Sequence, residues 1–172
     1  LNRQGRVAVV TNFREGGSEP AKRSRGELVT RFLEGMDSDA HWNSLHEEAA
    51  DYAGFNLIFY DGETLGYFSN RGMHRRSLEP GVYALSNNFL DTPWPKVQRG
   101  KQVMAELLQH PLDHSALATA VDSRQLASKN QLDLQAMNTE MDQLLSAQFI
   151  VGDTYGTRAT TTCWQTSAGK FH

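Results

Sequence analysis

The chain has 172 residues and a formal net charge of −3, and no run of Lys or Arg is longer than two residues. This length fits one domain of ordinary size, and the charge pattern excludes the basic surface of a nucleic-acid-binding protein. Cys163 is the one cysteine and no apolar stretch reaches membrane length, so we expect no internal disulfide, no transmembrane segment and a reducing, cytoplasmic location.

The N-terminal third predicts one strand and two helices. Alternating side chains predict a buried strand from Val7 to Asn12. Ser24 and Glu27 form the pattern of a capping box, which predicts a helix that ends at Gly35. The segment 37–39 supplies an aspartate cap for a second helix.

The middle of the chain predicts a hairpin and a central strand. Residues 55–60 and 64–70 alternate as strands do, and Asp61-Gly62 between them accepts the backbone angles of a tight turn. Residues 81–87 have the same period, and we expect them to form the central strand of the sheet. The Pro-bracketed segment 92–95 then makes a stiff turn after this strand.

The C-terminal half predicts helices followed by a last strand. Pro95 lies near the first turn of a helix that His110-Pro111 ends, and a shorter helix follows over 113–121. Alternation over 156–165 predicts a strand in which Cys163 is a small buried residue. Another helix is indicated by four apolar residues at helical spacing: Met137, Met141, Leu144 and Leu145. Antiparallel hairpins that alternate with helix pairs favour a layered α/β or α+β sandwich.

Short polar clusters follow or interrupt the predicted strands. If the strand ends gather at one edge of a sheet, amide and guanidinium groups would converge there and could bind an anion or an oxyanion. Each cluster alone is more typical of a turn than of a site, because Asn closes strands by local hydrogen bonds. The four clusters are Thr11–Glu15, Ser69–Arg71, Ser86–Asn88 and Tyr155–Arg158.

Metal and nucleophile motifs are weak in this sequence. His110 and His114 have the spacing of a helical metal pair, but Pro111 between them breaks the helix that would align them. We therefore expect no metal site. The Gly-rich and Ser-centred motifs of NTPases, dinucleotide enzymes and serine hydrolases do not occur.

Six segments in order along the chain resemble the NRDE family, also called the transport-and-Golgi-organisation-protein-2 family. LSN followed by LDTPWPKV, with RSRGELV upstream and YGTR downstream, is specific in combination. The family is named for an Asn-Arg-Asp-Glu motif near an N-terminal Met-Cys, and Asn2-Arg3-Gln4-Gly5 is not that motif. The resemblance thus implies one partial domain over 1–172, truncated at its N-terminus and also at its C-terminus. The segments are 6–15, 23–29, 52–62, 66–71, 81–97 and 155–161.

The resemblance implies an α+β fold similar to the N-terminal-nucleophile hydrolases, a four-layer αββα sandwich. In such enzymes an N-terminal Cys is the nucleophile, and Asn side chains after two strands form the oxyanion site. By position Asn12 and Asn87 resemble those residues, and Arg158 resembles an active-site Arg. The nucleophile corresponds to no residue of this chain.

The resemblance also implies a function. Eukaryotic members are associated with haem trafficking and with lipid and Golgi homeostasis, so the first hypothesis is a carrier of haem or a similar amphipathic small molecule, cytoplasmic or associated with mitochondria or Golgi. No axial ligand for haem is evident in the sequence. The alternatives are an N-terminal-cysteine amidohydrolase acting on linear amides and a non-catalytic interaction module. The candidate ligand-binding residues are Asn12, Arg14, Arg71, Asn87 and Arg158.

Overall fold

The protein is a mixed α+β structure in a computed structural model that describes residues 1–15, 21–133 and 139–172. It divides into two compact units. The first contains Leu1–Gly81 with Ser86–Phe89, and the second contains Val82–Leu85 with Leu90–His172. No helix in these described ranges is long and apolar enough to cross a membrane.

The first unit is built on a four-stranded antiparallel sheet in the order β1-β2-β3-β4. Its strands are β1 (Val7–Asn12), β2 (Phe55–Tyr60), β3 (Leu65–Ser69) and β4 (His74–Leu78). The predicted first strand is therefore confirmed, with a correction to its burial. Ala8 and Val10 pack towards the helices, whereas Val9 alternates to the opposite face of the sheet and is 52% exposed.

Two helices cover one face of this sheet: α1 (Gly26–Leu33) and α2 (Ser38–Glu47). Phe55, Leu57 and Phe59 are alternate residues of β2, so they lie on one face of the sheet, and all are at most 1% exposed. Phe32 of α1 and Trp42 of α2 contact Phe59 with ring centroids 4.9 and 4.7 Å apart. This helix-covered face forms the hydrophobic core of the unit.

The predicted hairpin is confirmed, and its turn shows why the sequence forms it. The Asp61 carboxylate accepts hydrogen bonds from the backbone N–H groups of Glu63 and Thr64 at 2.9 and 2.8 Å. Gly62 has φ 113°, a conformation that favours glycine. The turn thus fixes the register of β2 against β3, in which Tyr60 faces Leu65.

The two predicted helix starts differ in detail. Asp37 caps α2 as expected, since its carboxylate accepts from the N–H groups of Asp39 and Ala40. At α1 half of the capping box forms: the Glu27 carboxylate accepts from the Ser24 N–H at 3.2 Å, whereas the Ser24 hydroxyl accepts from Gly26. Both helices nevertheless begin close to the predicted points.

The predicted central strand at residues 81–87 is wrong. This segment is irregular, and the fourth strand is β4, which the sequence interpretation did not include. In the second unit the loop is closed by the Asp91 carboxylate, which accepts from the Ala84 N–H at 2.9 Å, and by the Asp91 N–H, which donates to the Ala84 carbonyl at 2.9 Å. Asp91 has φ 58°, in the left-handed region that turns use and strands do not. Residues 84–91 therefore form a closed loop.

In the part of the second unit that the structure describes there are four α-helices: α3 (Pro95–Leu107), α4 (His114–Ala118), α5 (Lys129–Asp133) and α6 (Glu140–Leu145). Pro95 is in the first turn of α3, and the predicted short helix is α4 continued by a 3₁₀ turn at Thr119–Val121. The last predicted helix is α6, which begins with a capping box of Thr139 and Asp142. Met137, assigned to the same helix, lies outside the described residues.

The predicted strand at residues 156–165 is also wrong. Within the described part of the chain this segment has no strand partner beyond an isolated bridge between Gln165 and Phe171. Cys163 is exposed and not buried as expected. A segment with alternating side chains forms a strand only if a neighbouring strand supplies the ladder of backbone hydrogen bonds. In the described chain no strand pairs along the length of residues 156–165.

Candidate functional site

Three of the four predicted polar clusters lie together at one end of the sheet: Thr11–Glu15, Ser69–Arg71 and Ser86–Asn88. In an antiparallel sheet the ends of β1 and β3 lie beside the starts of β2 and β4. We call five of the polar residues at this end the strand-end cluster: Asn12, Arg14, Glu15, Arg71 and Asn87.

Asn87 is held directly against the end of β1. Its side-chain amide donates to the Asn12 carbonyl at 3.1 Å, and its own carbonyl accepts from the Arg14 N–H at 2.6 Å. The preceding carbonyl, that of Ser86, accepts from the Thr11 hydroxyl at 3.1 Å. Asn87 thus closes the edge of β1 and keeps one of its two amide hydrogens available, because the NH₂ group carries two donors.

Arg71 forms a two-point ion pair with Glu15. Arg71 Nε lies 2.6 Å from Glu15 Oε2, and Arg71 Nη2 lies 2.7 Å from Oε1. Glu15 Oε1 also accepts from the Gly54 N–H at 3.0 Å. The Arg71 hydrogen bonds are the main reason that the pKa of Glu15 lies below its usual value. This pair therefore joins the end of β1 to the hairpin that follows β3.

Asn70 has a structural role in the loop before β2. Its side chain is buried, accepts from the Phe55 N–H at 2.8 Å and donates to the carbonyls of Ala49 and Tyr52 at 3.1 and 3.2 Å. Those bonds engage both the oxygen and the NH₂ group of the carboxamide. The turn interpretation of the Ser69–Arg71 cluster thus holds for Asn70, whereas its neighbour Arg71 contacts Glu15.

A row of polar residues crosses the sheet on the face opposite the helices. Thr11, Asn56, Ser69 and His74 are successive register partners on β1 to β4. Asn56, which is fully buried, donates to the Asn88 carbonyl at 3.0 Å and accepts from the Tyr67 hydroxyl at 2.9 Å. Sequence reasoning missed this row, although a lone Asn inside the apolar segment FNLIFY was a usable signal.

Aromatic side chains lie beside the strand-end cluster, and these were also missed. The Phe89 ring contacts Phe13 and His74, with centroids 4.9 and 4.5 Å apart. Phe13 and Phe89 are half-buried, and His74 is exposed. Phe13 precedes Arg14, and His74 follows Arg71 by three residues, so apolar ring surface and cationic groups occur on the same two segments.

Arg158 belongs to the second unit and is exposed there. The loop before it is closed by two hydrogen bonds: the Thr157 N–H donates to the Ile150 carbonyl, and the Ile150 N–H donates to the Thr157 hydroxyl, both at 2.9 Å. A Cβ at Gly156 would lie 2.9 Å from the Ile150 carbonyl oxygen, which explains the glycine. The role that the resemblance implies for Arg158 stays a prediction.

The histidines of the second unit form no recognisable metal centre. His114 Nδ1 lies 2.5 Å from the Thr162 hydroxyl, and its ring packs on Trp164. In the ranges that the structure describes, no three His, Cys, Asp or Glu side chains are grouped as metal ligands.

Comparison with known proteins identifies the family. The sequence profile described as "Transport and Golgi organisation 2" matches residues 1–172. The chain belongs to this family. The recognition made from the six sequence segments is therefore confirmed.

Three curated relatives carry the Transport and Golgi organisation 2 name. The chain is 38% identical to the mouse "Transport and Golgi organization 2 homolog" over 116 residues, which cover 63% of this chain and 42% of the relative. The same figures apply to the "Transport and Golgi organization protein 2 homolog" of cattle and of human. The match thus spans less than half of the length of each relative.

Proposed function

We propose that this member of the Transport and Golgi organisation 2 family binds haem, or a similar planar amphipathic acid, at the strand-end cluster and carries it between compartments. One observation carries the proposal. The exposed or half-buried rings of Phe13, Phe89 and His74 adjoin cationic and amide groups on the same segments. A carrier of such a molecule needs apolar ring surface together with groups that bind its carboxylates.

The polar groups would bind the charged edge of the ligand. The Arg71 guanidinium is 36% exposed, and its Nη1 takes no part in the pair with Glu15. Asn12 and Asn87 are exposed and contribute neutral amide donors. Arg14 is a further cationic residue of the cluster that could bind the ligand's carboxylates. Arg158, in the second unit, is a candidate ligand-binding residue by its position in the resemblance.

The face of the sheet opposite the helices supports a proposed second layer. Val9, at the β1 edge of this face, is 52% exposed and its register neighbour Ile58 is half-buried, whereas Tyr67 on the next strand is only 2% exposed. An exposed apolar edge of a sheet face is normally covered by another layer. We propose that the intact protein stacks a second sheet here, as in the αββα sandwich of N-terminal-nucleophile hydrolases, and that residues 1–172 belong to one such domain.

Amide hydrolysis is the second candidate, and one observation favours it. The Asn87 side-chain amide donates to the Asn12 backbone carbonyl, so the two residues lie at the same strand end, and amide donors there could stabilise a developing oxyanion. The nucleophile would be an N-terminal cysteine of the intact protein, as the resemblance implies. Unchanged amide turnover after replacement of that cysteine would remove this candidate.

Titration with Fe(III) protoporphyrin IX tests the proposed function. We expect a shift of the Soret band that saturates at equimolar haem, in a cytoplasm-like reducing buffer as well as in air. The absence of any Soret change at micromolar protein would contradict haem binding. If amide turnover were also absent, an interaction module would be the remaining interpretation.

A further inference from the structure

The Glu15–Arg71 pair has the geometry of a filled carboxylate site. Both oxygens of Glu15 face two nitrogens of one guanidinium at 2.6 and 2.7 Å. This two-point arrangement is the one in which Arg binds the carboxylate of a ligand. In the chain as it stands, an internal side chain therefore occupies the place that a ligand carboxylate would take.

The pair is accessible enough to exchange. The side chains of Arg71 and Glu15 are 36% and 25% exposed, so water reaches both. Water that reaches an ion pair screens it and weakens it relative to a buried pair, so an external carboxylate can compete for Arg71. Glu15 would retain a partner after displacement, because the Gly54 N–H donates to its Oε1 at 3.0 Å.

We propose that Arg71 is the carboxylate-binding residue of the strand-end cluster and that Glu15 is an internal competitor which the ligand's carboxylate displaces. This inference rests on the proposed function. It adds a chemical criterion for the ligand, which must carry a carboxylate beside its planar apolar part. An ester of the same molecule would gain nothing from the removal of Glu15.

The variant Glu15→Gln tests whether Glu15 competes with the ligand for Arg71 or only supports the fold. Glutamine keeps an oxygen that can accept from the Gly54 N–H, but it loses the negative charge that holds Arg71. The matched control is Glu27→Gln, which removes the charge of another exposed Glu of the same unit, one that pairs with Arg23 at 2.8 Å. The probes are metal-free protoporphyrin IX, a diacid, and its dimethyl ester, both followed by fluorescence in one detergent buffer.

We expect Glu15→Gln to bind the diacid about two- to fivefold more tightly than wild type, the factor that corresponds to an exposed ion pair. Affinity for the dimethyl ester should not change, and Glu27→Gln should match wild type with both probes. Equal or weaker binding of the diacid by Glu15→Gln would overturn the inference. An equal gain for the ester would also overturn it, because the gain would not depend on a carboxylate.

A second variant covers the case in which Glu15→Gln is too unstable to test. Arg71→Gln should lose most of the preference for the diacid over the ester, whereas an unchanged preference would overturn the role of Arg71. If wild type binds the diacid and neither variant alters the preference, the inference fails while the proposed function stands. If wild type binds neither probe, both fail.

Discussion

The side-chain amide of Asn87 donates to the backbone carbonyl of Asn12 at 3.1 Å, and through this bond a loop residue closes the outer edge of β1. The same residue accepts from the Arg14 N–H, so one Asn satisfies two backbone groups of the neighbouring segment. Both Asn residues are exposed. A strand terminator and a ligand donor can therefore be the same side chain.

Asn87→Ala should cost little stability and should weaken ligand binding. The substitution removes one exposed hydrogen bond, worth about 1 kcal/mol, and leaves the backbone bond to Arg14 intact. Urea unfolding of the variant measures the stability, with Ser86→Ala as the control because the Ser86 carbonyl bond to Thr11 survives it. A loss above about 3 kcal/mol would show that Asn87 mainly supports the fold.

Asn70→Ala should be far more damaging than Asn87→Ala. It leaves the Phe55 N–H and the carbonyls of Ala49 and Tyr52 without their partner in a buried loop. Each such group costs about 1–3 kcal/mol, so we expect a large drop in the unfolding midpoint or loss of soluble protein. Similar midpoints for the two variants would contradict the distinction between these residues.

His41 should make the first unit sensitive to acid. Its ring is 1% exposed, packs on Phe32 and Phe59, and has no hydrogen-bond partner among the residues that the structure describes. Burial, with smaller contributions from Arg31 and Arg6 and an opposing one from Glu48, lowers its pKa from 6.5 to about 4. Because the folded pKa is depressed, this stability is fully present above about pH 6.5 and is lost as the pH falls towards 4.

The size of the acid effect can be measured by urea unfolding at pH 7 and pH 4.5. A pKa shift of this size corresponds to about 3 kcal/mol over the whole range. His41→Leu should remove most of the difference between the two pH values while retaining stability at pH 7, since Leu fills a similar volume without unpaired nitrogens. An equally steep loss in the variant would assign the acid sensitivity to other groups.

Gly66→Ala should destabilise the core of the first unit. A Cβ at Gly66 would lie 2.5 Å from a ring carbon of Phe59 and 2.8 Å from one of Trp42. Forcing these rings apart costs about 1–3 kcal/mol. Gly26→Ala is the matched control, because its Cβ would lie 3.6 Å from the Ser24 hydroxyl oxygen, an ordinary contact. Thermal unfolding should separate the two variants, and equal melting temperatures would refute the close packing at Gly66.

Local signals predicted the parts of the fold that local interactions determine. Asp61-Gly62 specifies its own turn, Asp37 caps α2, and Pro95 begins α3, and all three are confirmed. Residues 81–87 and 156–165 have strand-like alternation but lack a paired neighbour along their length in the described chain. Strand formation depends on a partner, which a single sequence does not reveal.

The sequence predicted which types of residue form the candidate site, but it did not predict which of them contact each other. The Asn, Arg and Glu residues at strand ends were recognisable as polar clusters, and three of the four clusters meet in the first unit. The ion pair between Arg71 and Glu15 joins residues 56 positions apart, so no local sequence pattern could predict this contact. Phe89 contributes its ring only because the loop returns to Phe13.

The most direct test of the proposed function is a haem titration of wild type beside Phe89→Ala, followed by the Soret band. We predict micromolar saturation for wild type and about tenfold weaker binding for Phe89→Ala, because the variant loses the central ring of the aromatic group. Leu108→Ala, which alters an exposed apolar residue of the second unit, should bind as wild type does. Equal affinity in Phe89→Ala and wild type, or no Soret change in either, would contradict ligand binding at the strand-end cluster.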